Sequence, residues 1–417
     1  MVRKFKETRL GLFPEDWVVK NISDIFEIKA GGDLKKLEFS KTKQRGFDFP
    51  VYSNSLNDKG LYGFSKIYQY EKDCVTITAR GDVGHAEYRD HPFCAIVRLL
   101  VLKPRIDISG YFIKNFINSK LNFSHVGAAV NQLTAPQIST EFIVYPSDIK
   151  EQKKIANILS NYDNLIENNE KRIKILEQIA KLIYEEWFVK FKFPGHEKVK
   201  MIDSKTDFGK IPEGWEVKKL REVINNIILG GTPSRSKEEY WGGNIPWIKS
   251  GELNELRVIK GTESITELGL NKSATKIMPK RTVLIAITGA ILISMSEIEL
   301  CANQSVIGLY GSQKVSQEYL YLAQKENIHQ FISKMSGSAQ QHVNKEIVSD
   351  SFILVPKKEI MEYFSENIKS VFDEITNLMF KNQNLRKTRD FLLPKLISGE
   401  VDVSGLDIKI SEEVANT

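Results

Sequence analysis

Three cysteines in 417 residues are too few and too scattered to organise a fold. Cys74, Cys94 and Cys301 lack the close pairs of a zinc site and the density of a disulfide scaffold, so buried free thiols are expected. Long apolar runs are missing too. The longest, Val283 to Met295, falls short of the roughly 20 residues that cross a bilayer, which argues against a membrane span. The opening MVRKFKETRL leads into no apolar signal core, so a cytoplasmic protein is expected. Charge leans only slightly: 59 basic against 53 acidic residues leave +6, a small help to a protein that seeks phosphate.

Motifs of catalysis are missing as well. There is no Asn/Asp-Pro-Pro-aromatic adenine methylation motif, no G-x-x-x-x-G-K-[ST] phosphate loop and no paired His/Cys ligand set. The six histidines (His85, His91, His125, His196, His329, His342) are scattered, and surface or core roles are expected for them. No catalytic residue, metal ligand or cofactor of its own is therefore assigned to the chain.

What is present is written twice. Leu12-Phe13-Pro14-Glu15-Asp16-Trp17 returns roughly 200 residues later as Ile211-Pro212-Glu213-Gly214-Trp215. Ala30-Gly31-Gly32-Asp33 is echoed by Leu229-Gly230-Gly231-Thr232, and Phe49-Pro50-Val51 by Ile245-Pro246-Trp247. Thr76-Ile77-Thr78-Ala79-Arg80-Gly81 matches Leu284-Ile285-Ala286-Ile287-Thr288-Gly289, all in the same order. Each half then closes on an apolar run ending in proline, Phe142 to Pro146 and Phe352 to Pro356, before a long helical pattern. A tandem duplication of a domain followed by a helix accounts for these echoes. The domains mix β-rich runs with Gly and Pro turns, so an α+β fold is expected. Candidate strands are Cys74 to Thr78, Ala95 to Leu102, Val283 to Ile287 and Ser305 to Leu309; candidate short helices are Gly110 to Ser119 and Gln317 to Glu326.

From Ile149 to Phe191 apolar residues recur near a heptad spacing at Ile155, Ile158, Tyr162, Leu165, Ile173, Leu176, Ile179, Ile183 and Trp187. A second seam runs through Phe364, Ile368, Val371, Ile375, Leu378, Leu385, Leu392 and Leu396. Asn169 and Asn382 fall at inward positions, where a buried amide fixes register at a cost in stability. A helix of about 40 residues spans roughly 60 Å, longer than a globular core needs. The two helices are therefore expected to pair as an antiparallel coiled coil holding the globules apart; the alternative is that each merely caps its own domain. Pro394 is expected to interrupt the second helix, and Ser398-Gly399-Glu400 to stop it.

The run Leu385-Arg386-Lys387-Thr388-Arg389-Asp390-Phe391-Leu392-Leu393-Pro394-Lys395-Leu396-Ile397-Ser398-Gly399-Glu400 resembles the closing helix of the specificity (S) subunits of type I restriction-modification systems. Glu186-Trp187-Phe188-Val189-Lys190-Phe191 resembles the end of that family's central helix, Glu151-Gln152 its start, and Ile211 to Trp215 the opening of its second recognition domain. Gly230-Gly231-Thr232-Pro233-Ser234-Arg235, Tyr240-Trp241-Gly242-Gly243, Ile245-Pro246-Trp247 and Ala302-Asn303-Gln304 are also similar. The first half departs, with Gly31-Gly32-Asp33-Leu34-Lys35 for the Thr-Pro-Ser loop and Ala95-Ile96 where the second half has Asn303-Gln304.

The resemblance implies two target recognition domains, residues 1–147 and 210–356. It also implies a central helix (148–192), a linker (193–209), a C-terminal helix (357–400) and a tail (401–417). Each domain would read half of a bipartite double-stranded DNA site, with the coiled coil setting the spacer and docking two methyltransferase subunits. S-adenosylmethionine would belong to those subunits, and ATP with Mg to separate restriction/translocase subunits, in a system of phage defence.

Base edges are read by Arg, Lys, Asn and Gln, while hydroxyls and glycine-exposed amides hold phosphates. The candidate contacts are Lys35, Lys36 and Arg80 in the first half and Thr232, Ser234, Arg235, Lys237, Lys249, Asn303 and Gln304 in the second. Each has a bland alternative: a solvated turn for residues 232–237, pairing with Asp82 or Glu87 for Arg80, and a loop tie for Asn303 and Gln304. Tyr240, Trp241 and Trp247 either stack on an extruded base or pack a core. Two other functions stay open from the sequence, an adaptor that binds proteins and a self-sufficient nuclease or methyltransferase with degenerate motifs.

Overall fold

The computed structural model describes residues 3–123, 132–254, 256–329, 332 and 343–408; His125, His342 and the last residues of the tail lie outside them. The chain forms two compact units, Met1–Glu167 with Asn384–Thr417, and Asn168–Gln383. The divisions fall inside the long helices Ile149–Tyr184 and Lys358–Ile397, so each unit owns part of both.

In the first unit a four-stranded antiparallel sheet runs in the order Phe26–Ala30, Leu100–Pro104, Cys74–Ile77, Ala86–Arg89. Side chains alternate across a strand, and both faces of this sheet are covered. Val75, Ile77, Leu100 and Leu102 meet Phe112, Ile113 and Phe116 of the helix Gly110–Lys120. Cys74 and Val101 face Tyr52, Phe93 and Ala95 of a second, smaller sheet instead.

The second unit repeats the plan. Its sheet runs Asn226–Leu229, Val306–Tyr310, Val283–Ala286, Ile293–Ser296, Arg257–Val258. Val283, Ile285, Ile307 and Leu309 pack toward Tyr319, Leu320 and Ala323 of the helix Gln317–Glu326. In each lobe an early strand pairs with the last, Trp17–Asn21 with Phe142–Pro146 and Glu216–Lys219 with Phe352–Val355.

The first glycine of each Gly-Gly pair has a steric cause. A Cβ on Gly31 would sit 2.7 Å from the carbonyl of Ala95, and one on Gly230 would sit 2.1 Å from the carbonyl oxygen of Asn303. Both lobes thus bring a strand end against the same neighbouring turn, which only glycine permits. The pairing also corrects the alignment of the halves. Cys94 lies beside Val51 and Cys301 beside Trp247 in equivalent parallel pairs, so Ile96-Val97, not Ala95-Ile96, stands where the second lobe has Asn303-Gln304. The expected strand Ala95 to Leu102 is two strands, Cys94–Ala95 and Leu100–Pro104. Val97 (φ 55°) and Arg98 (φ 62°) take left-handed backbone and break it.

The helices pair antiparallel. In the second unit Asn169 Nδ2 donates to Asn382 Oδ1 at 2.7 Å, with both residues buried. Arg172 meets Glu374 at 2.8 Å and Trp187 meets Tyr363 and Phe364, so partner numbers fall as the first helix advances. In the first unit Asp163 pairs with Arg389 at 2.6 Å, and Lys154 reaches the Ser404 carbonyl at 2.7 Å, in the same sense.

The seam is wider than a heptad reading makes it. Ile155, Ile368, Ile375 and Leu378 are buried as expected, but so are Leu159, Ile166, Ala180, Tyr184 and Phe372. Ile158, Tyr162, Leu176, Ile183, Leu385 and Leu392 are half-buried at its margins, while Leu165 (46% exposed) and Ile179 (40%) lie outside it. Each helix packs on a lobe as well as on its partner, and a straight α-helix drifts about 20° per heptad from a strict 3.5-residue seam.

Helix ends also differ from expectation. The first leaves α geometry after Tyr184 for one π turn, Glu185–Val189. The second continues through Pro394 to Ile397, because a proline so near the C-terminus removes a single ladder bond and its own carbonyl still accepts from Ser398 N–H. Gly399 (φ 71°) then ends it, as anticipated.

Each lobe's opening motif meets a helix end. Trp17 packs in one core with Leu396 and Ile397, and a Cβ on Gly399 would lie 2.6 Å from Pro14. Trp215 is surrounded by Phe188, Phe191 and Phe193, at centroid distances of 5.8, 5.7 and 5.0 Å. The first lobe receives from the far end of the chain what the second receives from the residues just before it.

Charged side chains tie lobe to helix within each unit. Arg257, fully buried, reaches Glu177 at 2.9 Å and Glu297 at 3.6 Å, with Phe372 and Tyr321 rings 4.2 and 4.4 Å from its guanidinium carbon. Burial raises the Glu297 carboxyl above its usual range, against the pull of Arg281 and Arg257. In the first unit Asp163 accepts from both Tyr111 and Arg389.

Arg257→Ala should cost about 3 kcal/mol in urea unfolding, because it takes the ion-pair partner from half-buried Glu177 and leaves buried Glu297 to Arg281 alone. Asn382→Ala should cost about 1–3 kcal/mol by leaving the Asn169 amide unpaired, whereas replacing both asparagines with leucine should restore or raise stability. A double leucine variant as weak as the single alanine variant would contradict that account.

Candidate nucleic-acid interface

In the second lobe the Gly-Gly contact sets the loop 232–237 beside residues 302–304. Thr232 Oγ1 donates to Gln304 Oε1 at 2.5 Å, which leaves the Gln304 amide N–H groups outside that bond. Asn303 Oδ1 accepts from Ser305 N–H at 3.2 Å, a local loop tie. The Ser234 and Ser236 hydroxyls lie 2.9 Å apart, and Trp241 Nε1 donates to the Ser234 carbonyl at 3.2 Å.

Arg235 is the most constrained of the candidate cations. Its guanidinium donates to both Glu263 oxygens at 2.7 and 3.0 Å and lies 3.6 Å from the centroid of the Trp241 ring. Lys249 reaches the same carboxylate at 3.0 Å. Hydrogen bonds from Arg235 and Lys249 pull the Glu263 carboxyl down to about 2. Two cations around one anion leave a net positive site whose arginine is held in one pose. Lys237 lies farther out, 3.9 Å from Glu239.

In the aromatic cluster Trp247 belongs to a buried core. Trp247 is 1% exposed and donates to the Gly231 carbonyl at 3.0 Å, while Trp241 meets it edge-on at 5.0 Å and carries Arg235 on its ring. Of the two readings open for these rings, core packing holds for Trp247, while Tyr240 and Trp241 are half-buried.

In the first lobe Arg80 pairs with neither Asp82 nor Glu87. Its Nε and Nη2 donate to Gln132 Oε1 at 3.2 and 2.9 Å, and Glu87 is engaged by His85 at 3.0 Å. Arg80 thus has an orienting partner that does not neutralise it. Lys36 is exposed, as is Lys35, which lies 3.8 Å from Glu38. The structure does not join these lysines to Arg80 through any hydrogen bond or ion pair among the described residues.

Two residues of the first lobe escaped the sequence reading. Asn54 accepts from Ala79 N–H at 2.6 Å and donates to the Val97 carbonyl at 2.7 Å, stapling the Arg80 loop to the turn that carries Arg98. Arg98 is exposed. Reading residues 95–102 as one strand hid that turn, and nothing local in the sequence announces it.

The cysteines are buried free thiols, as expected. Burial pushes Cys74 and Cys301 up to about 11 and raises Cys94, so all three stay protonated near neutrality. Among the described residues no His/Cys/Asp/Glu group is arranged to hold a metal, and no helix is long and apolar enough to cross a membrane.

The folded-state value for Glu263 lies below its unfolded value. The pair's contribution is therefore complete above the ordinary glutamate range and is lost as pH falls through about 2. A carboxyl-labelled NMR titration should place the Glu263 midpoint near 2, and Arg235→Ala should move it up toward the ordinary value of about 4.3.

The profile of the type I restriction modification DNA specificity domain matches this chain twice, over residues 14–178 and 212–386. The type I restriction enzyme MjaIX specificity subunit of Methanocaldococcus jannaschii is 25% identical, covering 97% of this chain and 98% of its own length. The type I restriction enzyme HindI specificity subunit of Haemophilus influenzae is 24% identical over 87% of this chain and 98% of its own. The crystal structure of the type I restriction-modification system S subunit from M. genitalium shares the fold, with a TM-score of 0.65 at 17% identity over 95% of this chain and 99% of that one. With two matched domains in tandem and an antiparallel helix pair, the chain belongs to the type I restriction-modification DNA specificity family.

Proposed function

We propose that this chain is the non-catalytic specificity subunit of a type I restriction-modification complex, each lobe reading one half of a bipartite DNA target. The observation that carries this reading is one fold used twice with different chemistry at the same turn. Ile96, Val97 and Arg98 stand in the first lobe where Asn303, Gln304 and Ser305 stand in the second. A duplicated scaffold that varies its exposed turns is suited to reading two different half-sites.

The paired helices would set the spacer, since their register fixes where each lobe's opening motif is met by a helix end. They also offer a surface for partners. Ile175, Ile179 and Leu182 are 55%, 40% and 57% exposed along one helical face, far more apolar area than a solvated helix needs. In the register that matches Ile155 with Phe364 and Leu159 with Ile368, Leu182 corresponds to Phe391, itself 64% exposed. Two equivalent apolar knobs suit two copies of a methyltransferase subunit. That subunit would bring S-adenosylmethionine, and restriction subunits joining through the complex would bring ATP and Mg. The place of action would be the cytoplasm, where the DNA is.

An adaptor binding only proteins would show no split footprint on DNA. Deleting the chain from its host should abolish one bipartite adenine-methylation motif, scored across the genome; a motif set that survives deletion would refute the assignment. Replacing residues 210–356 with the equivalent domain of a relative should change one half-site and leave the other. Leu182→Glu or Phe391→Glu alone should reduce co-purifying methyltransferase from two copies to one, and the double variant should bind none.

A further inference from the structure

We propose that Arg98 reads a guanine in the half-site of the first lobe, an inference that rests on the DNA-reading function above. The turn that carries it is built against local preference. Val97 and Arg98 are consecutive non-glycine residues in left-handed backbone, and for β-branched Val97 this is a true outlier. Such strain persists only where the surroundings over-determine it, and it gathers at functional sites.

Here the surroundings do so from several sides. Val97 N–H donates to the Gly32 carbonyl at 2.9 Å, Arg98 N–H to Gly31 at 3.0 Å and Leu99 N–H to Ile96 at 3.1 Å, while Asn54 holds the Val97 carbonyl at 2.7 Å. All this fastening presents two exposed side chains, apolar Val97 and Arg98, and the Arg98 guanidinium has no hydrogen-bond or ion-pair partner among the described residues. Arg235, by contrast, is bound at both carboxylate oxygens of Glu263, and Arg257 is buried.

An arginine with its planar fork free, on a rigid turn, suits the O6 and N7 acceptors of guanine in the major groove. Arg80 lies on the loop that Asn54 ties to this turn, and its guanidinium is held by Gln132 without a countercharge. The equivalent turn of the second lobe offers Gln304, an amide of the kind that reads adenine. The two lobes thus place different side chains, on turns of different backbone hand, at the same point of the fold, and Arg98 sets the guanine preference of the first.

The test uses the intact complex with its methyltransferase partner. The wild-type motif is first mapped by sequencing methylated DNA. Binding is then measured on duplexes in which each guanine of the first half-site is replaced in turn by 7-deazaguanine. Wild type should lose at least about tenfold in affinity at one position, the worth of a good base contact. Arg98→Ala should bind natural DNA correspondingly more weakly and lose nothing further at that position. Arg98→Gln should relax the same base or exchange it for adenine. The half-site of the second lobe, unchanged, reports that each variant complex is assembled.

Uniform weakening with a shallower salt dependence and an unaltered motif would make Arg98 a phosphate contact and overturn the proposal. So would a first half-site without guanine, or an equal 7-deazaguanine loss in wild type and Arg98→Ala. A wild-type complex that recognises no split motif would instead sink the functional reading itself, and Arg98 with it.

Discussion

The hydrogen bond between Asn169 and Asn382 lies where two apolar helix faces would otherwise slide past each other. Leucine and isoleucine pack almost equally well after a shift of one turn, about 5.4 Å, so hydrophobic burial alone fixes register weakly. A buried amide pair does not tolerate that shift, since both side chains would lose their partner inside a dry interface. Register in turn decides which residues meet at the helix ends. Within the second unit it brings Arg172 to Glu374 and Trp187 to Tyr363 and Phe364.

Buried charge does similar work between each lobe and its helices. Arg257 and Glu297 contribute less stability than a well-packed apolar pair would, because both must be stripped of water. They contribute geometry instead. An arginine that faces Glu177, Glu297, Tyr321 and Phe372 at once has few alternative poses, whereas an aliphatic contact would permit the lobe to rock. Asp163, shared by Tyr111 and Arg389, plays the same part in the first unit with fewer groups.

What was legible in the sequence follows from which constraints are local. The echoed glycines could be read because the close approach at Gly31 and Gly230 excludes every other residue type, so both copies must keep them. The central sheet strands and the helices beginning at Gly110 and Gln317 were legible through local composition and pattern, and the structure adds that Ser109 and Ser316 cap those helices. The turn at Val97-Arg98 was not, because neither residue favours left-handed backbone, and only bonds from Gly31, Gly32 and Asn54 hold it there. Glu263 was missed for a related reason: its partners Arg235 and Lys249 are remote in sequence, and only the fold assembles the three. Heptad counting misplaced Leu165 and Ile179 because it assumed a single partner face for helices that have two.

The residues hardest to foresee are those on which recognition is proposed to rest, and this has a physical cause. Sheets and helices are specified by repeated patterns over many positions, so an error at one position is outvoted by the rest. A base-reading turn is a single arrangement, held by contacts from distant segments and free to vary without disturbing the core. Duplication exploits that separation. Val75, Ile77, Leu100 and Leu102 have counterparts in Val283, Ile285, Ile307 and Leu309 that preserve the apolar face, while the adjoining turn passes from Ile-Val-Arg to Asn-Gln-Ser without altering the strands on either side. A protein that must keep one shape and read two sequences gains from placing its discriminating side chains on a turn whose flanking strands are fixed but whose residues and backbone hand can differ, left-handed at Val97 and Arg98 in the first lobe and not at Gln304 and Ser305 in the second.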